Sequence, residues 1–390
     1  MKKLNAILVI ILLMTAGCGD KKSTDELIIV DVTKSYPEKE LMLQDFMDVE
    51  YIPLETNDEF LNQGIVMAVG KEIILVKNIM NDGDIFIYDR NGKALRKINR
   101  KGEGGEEYLF LNEIILDEDR NEIFINSVGA KKILVYDLYG SFKRSFRHPE
   151  NARYSPVFNY DRDNLICYDY SGASGIDTGE RGSKSYHTII SKQDGSITRN
   201  IFIPFKKNIT QRIEDANGNV VQISSSNNSI LPYHDFWILT ESSSDTIYKY
   251  VPDGQLTPLI VRTPSIQSME KEVFLFTNML TDRYCFFRTI KKEYDFEKRR
   301  GFMYDDLMYD RQEKAIFEFS VYNADYSNTN QEVYIGKPVN TEIAFQQKLE
   351  AYQLVESFEK GELQGGKLKE IAAKLDAEDN PVIMLVKYKK

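Results

Sequence analysis

Short apolar runs separated by tight polar turns recur along nearly the whole chain. Ile73-Ile74-Leu75-Val76, Ile85-Phe86-Ile87-Tyr88, Ile123-Phe124-Ile125 and Ile133-Leu134-Val135-Tyr136 are clear examples. Their length, their β-branched and aromatic content and the turn residues around them predict strands. Two stretches superimpose without a gap at a separation of 48 residues. Asp84 to Tyr88 leads through Asp89-Arg90-Asn91-Gly92 to Arg96-Lys97-Ile98, and Lys132 to Tyr136 leads through Asp137-Leu138-Tyr139-Gly140 to Arg144-Ser145-Phe146. Each reads as a hairpin whose turn needs positive φ, which Gly92 and Gly140 supply. A second hairpin lies between them: Glu113 to Asp117, the turn Glu118 to Asn121, then Glu122 to Ile125. Its earlier copy is Gly64 to Val69, Gly70-Lys71, then Glu72 to Val76.

Two hairpins per repeat make a four-stranded antiparallel unit. A unit of this size that cannot cover its own faces stacks on its neighbours around a channel, as a propeller blade does. Looser copies continue the pattern. A third has Val157 to Tyr160, Leu165 to Tyr170 and Thr188 to Ile190, with a Gly/Ser-rich loop over Ser171 to Ser185. A fourth has Phe236 to Thr240 and Asp245 to Tyr250, preceded by an inserted hairpin around Asn217-Gly218-Asn219. A fifth has Tyr284 to Thr289, Leu307 to Asp310 and Ala315 to Phe319, with the glycine-free turn Arg311 to Lys314. The sixth is assembled from both ends, Val49 to Leu54 pairing with Pro381 to Tyr388, which closes the ring and removes its open edges. The expected fold is therefore all-β, a six-bladed β-propeller of four-stranded blades. One or two short C-terminal helices sit on its rim: Phe345, Leu349, Tyr352 and Val355 fall on one helical side, and Leu368, Ile371, Ala372 and Leu375 on another.

The N-terminus has a different character. Lys2 and Lys3 precede an apolar run from Ala6 to Met14 and then Thr15-Ala16-Gly17-Cys18, the layout of an export signal. The cysteine after Ala16-Gly17 resembles the lipobox of bacterial lipoproteins, with Thr15 where Leu is commonest. The resemblance implies cleavage before Cys18 and lipidation of its thiol and amine, and more than one acyl chain holds a protein stably to a membrane. The expected organisation is a signal peptide over 1–17, a lipidated N-terminus and linker over 18–45, and one propeller domain over 46–390. Loss of Lys2 and Lys3 with the leader takes the formal charge from −10 to −12. An acidic chain with only short, scattered basic runs is not built to hold nucleic acid. With Cys18 lipidated, Cys167 and Cys285 remain, both in strand-like contexts, and read as free buried thiols.

Several segments together resemble a family of six-bladed β-propeller lipoproteins from Gram-negative gut anaerobes, with blades similar to NHL repeats. They are Tyr51-Ile52-Pro53-Leu54-Glu55-Thr56, Ile87-Tyr88-Asp89 with Asn91-Gly92-Lys93, Lys101 to Tyr108, Ser244-Asp245-Thr246-Ile247-Tyr248, and Asp379-Asn380-Pro381-Val382. The resemblance implies six blades, a lipid-anchored place in the cell envelope, at the outer membrane facing the periplasm or the surface, and almost no chemistry.

The residues themselves offer little catalytic material. The three histidines, His148, His187 and His234, stand in neither a metal-binding spacing nor a serine-nucleophile elbow. Gly102-Glu103-Gly104-Gly105 joins two hairpins rather than a strand and a helix, so it reads as a blade crossover and not a phosphate cradle, with Tyr108 packing beneath it. Asp and Glu number 60, and no spacing singles out a catalytic or metal-binding set. The expectation is a binding scaffold with no catalytic residues, metal or cofactor, its partners being the membrane through Cys18 and an envelope protein or carbohydrate ligand. The alternative is a metal-dependent propeller hydrolase or lactonase acting on carbohydrate-derived substrates. It requires oxygen ligands from several blades converging on a cation near the channel axis.

Overall fold

A computed structural model describes residues 26–173, 185–223, 228–327 and 331–389. Six sheets stand around a central channel, and the chain is a six-bladed propeller. Blade 1 is Ile65–Val69, Ile73–Lys77, Asp84–Asp89 and Ala94–Asn99, and blade 2 is Glu113–Asp117, Glu122–Ser127, Lys132–Asp137 and Phe142–Arg147. Blade 3 contains Tyr154–Asn159, Asn164–Asp169, His187–Ser191 and Ile197–Ile201. Blade 4 has Ile230–Tyr233, Phe236–Leu239, Thr246–Tyr250 and Leu256–Thr263. Blade 5 is built from Val273–Leu280, Tyr284–Lys291, Tyr304–Asp310 and Ala315–Tyr322. Blade 6 has three regular strands, Ile343–Leu349, Val382–Tyr388 and Met47–Pro53.

The uninterrupted apolar runs have a simple cause. Successive side chains of a strand point to opposite faces, and each blade face is covered by a neighbouring blade. In blade 1, Ile73, Leu75, Ile85 and Ile87 pack toward blade 2, while Ile74, Val76, Phe86 and Tyr88 pack toward Ile52, Ile383 and Leu385 of blade 6. In the outermost strands, Ala94–Asn99 and Phe142–Arg147, covered and exposed positions alternate because one side meets solvent.

The turns between third and fourth strands repeat as the sequence pattern predicts. An aspartate at the end of the third strand accepts two turn N–H groups: Asp89 from Asn91 and Lys93, Asp137 from Tyr139 and Ser141. Gly92, Gly140, Gly195 and Gly254 take positive φ. Asp310 starts the glycine-free turn of blade 5, where Lys314 takes the left-handed conformation instead. These turns share one face of the ring with the turns between first and second strands, as the bonds Arg90 N–H to Glu72, Lys192 N–H to Asp163 and Arg311 N–H to Arg283 carbonyls show. The longer loops and crossovers lie on the other face. They carry the inserted hairpin Arg212–Glu214/Val220–Gln222 and a smaller one, Tyr294–Asp295/Arg300–Gly301. Part of the Gly/Ser-rich loop, 174–184, lies outside the described residues.

The ring closes as expected: Val382 to Tyr388 pairs antiparallel with Pro53 to Met47, Ile383 opposite Ile52. Asn380 clamps the joint, donating to the carbonyls of Glu55 and Phe60 and accepting from Asn62 N–H. Gly92 lies against the same joint. Its carbonyl accepts from Glu55 N–H, its φ is +85°, and a Cβ there would fall 2.0 Å from the Pro53 carbonyl oxygen.

Two expectations are corrected. The described part of the 18–45 segment is not a linker: Ile28–Asp31 and Glu38–Met42 add parallel fifth strands to the outer edges of blades 4 and 5. Phe345 and Leu349 lie in a strand, and the helix that follows, Ala351–Glu359, buries Ala351, Leu354 and Ser357 and leaves Tyr352 exposed. The second helix, Lys367–Ala372, buries Leu368, Ile371 and Ala372 as expected. Blades 1, 2 and 3 have four strands, blades 4 and 5 have the same four antiparallel strands plus the added edge strand, and blade 6 has three.

The edge strand of blade 5 is held by charge as well as by its ladder. Asp310, with no side-chain exposure, accepts hydrogen bonds from Arg283 at 2.7 Å and from Lys39 of the added strand at 2.9 Å. Burial alone would raise the Asp310 carboxyl, but the Arg283, Lys39, Gln312 and Glu313 hydrogen bonds outweigh it and hold the group well below the usual range.

Two outcomes follow from this geometry. Gly92→Ala is expected to destabilise the fold by more than about 2 kcal/mol, read by chemical denaturation, because it combines left-handed strain with a backbone clash at the closure. A negligible change would show that the joint is loose. Asp310 contributes stability above its unfolded value of 3.8, and this is lost as pH falls through the lower folded value. Asp310→Asn is therefore expected to cost roughly 2 kcal/mol near neutrality and progressively less below about pH 4 in the same assay.

Candidate functional site

The channel encloses about 1530 Å³. Its wall comes from the first strand of each of blades 1 to 5, including Val66 to Val69, Glu113 to Asp117, Pro156 to Asn159, Pro232, Phe276 and Asn278. The sixth side of the wall breaks the pattern. Where a first strand of blade 6 would stand, the chain from Tyr334 to Glu342 lines the channel as an irregular strap. Val333 N–H bonds to the Val321 carbonyl before it, and Val339 N–H to the Ile343 carbonyl after it. Among the described residues, no backbone ladder bond is made by the N–H groups of Tyr334, Ile335, Gly336 and Lys337 in between.

Most charged groups along the channel are already engaged. The Glu118 carboxylate accepts the N–H groups of Lys71, Glu72 and Ile73, fastening blade 2 to the first turn of blade 1. Asp117 pairs at 2.6 Å with Lys192, which is 1% exposed, locking blade 2 to blade 3. Arg90 and Lys387 share Glu50, Arg288 forks onto Asp306 between the rings of Tyr304 and Tyr334, and Lys389 bonds to the Gln44 and Asp45 carbonyls.

Glu113, the first residue of its strand, heads a polar chain running outward from the channel. Its carboxylate accepts from Ser155 Oγ at 2.5 Å and from Asn126 Nδ2 at 2.8 Å. Asn126 is fully buried, and its Oδ1 lies 3.0 Å from His148 Nε2. His148 Nδ1 accepts from Tyr154 N–H, which puts the ring proton on Nε2, facing Asn126. Burial pushes Glu113 above the ordinary carboxylate range, while its hydrogen bonds and Lys337 pull the other way. Across the channel, burial among protein atoms brings the Lys337 ammonium down to about 8, with Glu113 opposing the shift. Water reaches Lys337 through the channel although protein surrounds it.

The histidines occupy the positions their sequence contexts suggest: His148 in a crossover, His187 opening a strand, His234 in the turn before one. Burial lowers His148 and His187 to about 4 each. His187 Nε2 is 3.1 Å from the Ser229 carbonyl, so that nitrogen carries the proton. His234 lies at the channel mouth against Tyr233 and Tyr388. None of the three adjoins a serine or cysteine arranged as a nucleophile among the described residues.

The glycine-rich crossover is filled from within. Gly104 N–H donates to the Glu107 carboxylate at 2.8 Å, and a Cβ on Gly102 would fall 1.9 Å from Glu107 Oε2. The acid sits where a phosphate would have to bind, and Tyr108 is buried below with its hydroxyl on the Gly83 carbonyl. Cys167 and Cys285 are free and buried. Among the described residues no group of three or more His, Cys, Asp or Glu side chains is placed to hold a metal ion. Cys18 lies outside the described residues. The charged groups missed by sequence reading are Glu113 and Lys337. The available signal was Gly336-Lys337-Pro338, a lysine between two strand breakers directly after the apolar Val333-Tyr334-Ile335.

The profile of a family described as a 6-bladed β-propeller, DUF5128, matches residues 19–343. The crystal structure of a candidate exported protein of Bacteroides fragilis superposes with a TM-score of 0.57 at 17% identity, covering 94% of this chain and all of that one. A DUF4221 member from Bacteroides vulgatus superposes at 0.45 with 9% identity, covering 88% of this chain and 98% of that one. No match is found among curated proteins.

The buried imidazoles are expected to remain neutral in the folded protein down to about pH 5 in NMR titrations, far below the ordinary value of 6.5. A lowered imidazole contributes stability fully above 6.5, and that contribution is lost as pH falls toward about 4, so the unfolding free energy should decline over this window. Either ring protonating near 6.5 would mean that its surroundings are open to water.

Proposed function

Because this chain belongs to the DUF5128 family of six-bladed β-propellers, we propose that it is a lipid-anchored envelope protein that binds a ligand in its central channel without transforming it. The observation that carries the binding reading is the channel itself. About 1530 Å³ of space is walled by all six blades, and most of its charged groups are held in fixed positions by internal partners. A preformed concave site with a few oriented polar groups binds small molecules without an ordering cost. Tyr334, which is exposed, and the half-buried Phe158 add aromatic surface to the same wall, which suits the flat apolar faces of sugar rings.

Export and anchoring are supported by the leader and by the cysteine following Ala16-Gly17, and the Bacteroides fragilis relative is itself described as exported. No helix among the described residues is long and apolar enough to cross a membrane. Attachment through acyl chains on Cys18 at the outer membrane is the arrangement these features favour. An envelope protein is the other class of partner that such a scaffold would serve.

Cys18→Ala in the full-length precursor tests the anchor. The wild type is expected in the detergent-soluble membrane fraction, with a diacylglyceryl mass on its N-terminal peptide, and the variant is expected to lose that mass and leave the membrane fraction. A wild-type N-terminal peptide without lipid would overturn the anchored reading.

A further inference from the structure

The interruption in the sixfold wall coincides with a cation that has no partner among the described residues. Among the channel cations, Arg90, Arg288, Lys387 and Lys389 are committed to carboxylates or carbonyls, and Lys71 lies out in an exposed turn. Inside the channel, no ion pair or hydrogen bond engages the Lys337 ammonium among the described residues. It projects from the strap in which Gly336 and Pro338 replace a hydrogen-bonded strand. Backbone N–H groups without ladder partners therefore accompany the charge, a combination that suits an anion. Glu113 is its charged neighbour, held to Ser155 and Asn126 and beyond ion-pair distance. A ligand that is anionic over its whole surface would meet that carboxylate, whereas one with hydroxyl groups beside a single anionic group would donate to it.

We propose that Lys337 is the recognition residue for a hydroxylated oxyanion ligand, of the sugar-acid class, whose anionic group binds the ammonium and whose hydroxyls face Glu113. This rests on the channel being the binding site and specifies what it takes. A bound anion stabilises the charged ammonium and so raises its titration midpoint.

The test uses two independent reporters. Reductive methylation with a ¹³C label makes each lysine visible by NMR, and Trp237, the sole tryptophan, lines the same channel. The probes are glucuronate, its neutral counterpart glucose, and inorganic sulfate, all at millimolar concentration. Glucuronate is expected to raise the Lys337 midpoint from about 8 by roughly one unit, and to change Trp237 emission. Sulfate should raise the midpoint less, and glucose should leave it in place. Lys337→Arg should keep the glucuronate response of Trp237 and Lys337→Met should lose it. Both changes are on the channel wall, and circular dichroism checks that the fold is intact. If glucuronate leaves both the Lys337 midpoint and Trp237 unchanged, the proposal falls. A Trp237 response to glucose equal to that for glucuronate, and insensitive to Lys337→Met, would keep the channel as a binding site while removing Lys337 and the anion from recognition.

Discussion

Everything in this molecule depends on one strand pairing between the ends of the chain. Met47 to Pro53 and Val382 to Tyr388 form a seven-residue antiparallel ladder, and Asn380 reaches back to the Glu55 carbonyl across 325 residues of sequence. Closing so long a loop has a conformational cost that no single hydrogen bond offsets. The ladder is favourable because it completes two apolar interfaces at once, Ile52, Ile383 and Leu385 against blade 1, and Met384 and Val386 in the core shared with blade 5. Without it blades 1 and 6 would each expose a whole hydrophobic face. Stability in a closed ring is therefore collective, and the crowding of Gly92 against Pro53 is a local sign of how tightly the joint is drawn.

The same closure explains why the channel is where recognition is possible. Blades 1 to 3 are pinned to one another by Glu118 on the blade 1 turn and Lys192 on Asp117, so their inner strands have little freedom to adapt. Blade 6 is stitched from two chain ends and lacks a regular inner strand, and the strap that fills the gap is the stretch of wall whose backbone is not committed to a sheet. In a symmetric scaffold, the place where symmetry fails is the place where one side chain can have a setting that no other blade reproduces.

The sequence was most transparent where the repeat is strict. Blades 1 and 2 share an offset, an aspartate that caps each outer turn and a glycine at positive φ, so composition and geometry agree. The closing strands were legible because apolar runs at both ends had no other partner. The edge strands were not. Glu38-Lys39-Glu40-Leu41-Met42 is polar because it meets solvent, and Ile28–Asp31 is too short to stand out after a leader. Phe345 and Leu349 matched a helical period by coincidence, since a strand runs directly into a helix there. Lys337 was invisible for another reason: its character comes from what surrounds it in space, Glu113 and a channel wall drawn from other blades, and none of that is written near it in the chain.

The first described residue, Glu26, sits by Lys314 in an outer turn of blade 5, and the strand that follows runs parallel to Leu256–Thr263, away from that face. A pull on Glu26 opposite to the direction in which this strand runs would act along the strand axis rather than across it. Parallel strands loaded lengthwise must slip past each other with their ladder bonds strained together, whereas strands peeled from an end separate bond by bond. With a second parallel strand, Glu38–Met42, set behind the first and pinned through Lys39 to Asp310, the N-terminal segment is arranged as a mechanical fastener: a tether attached there would transmit force to the ring in shear before the closing ladder felt any of it.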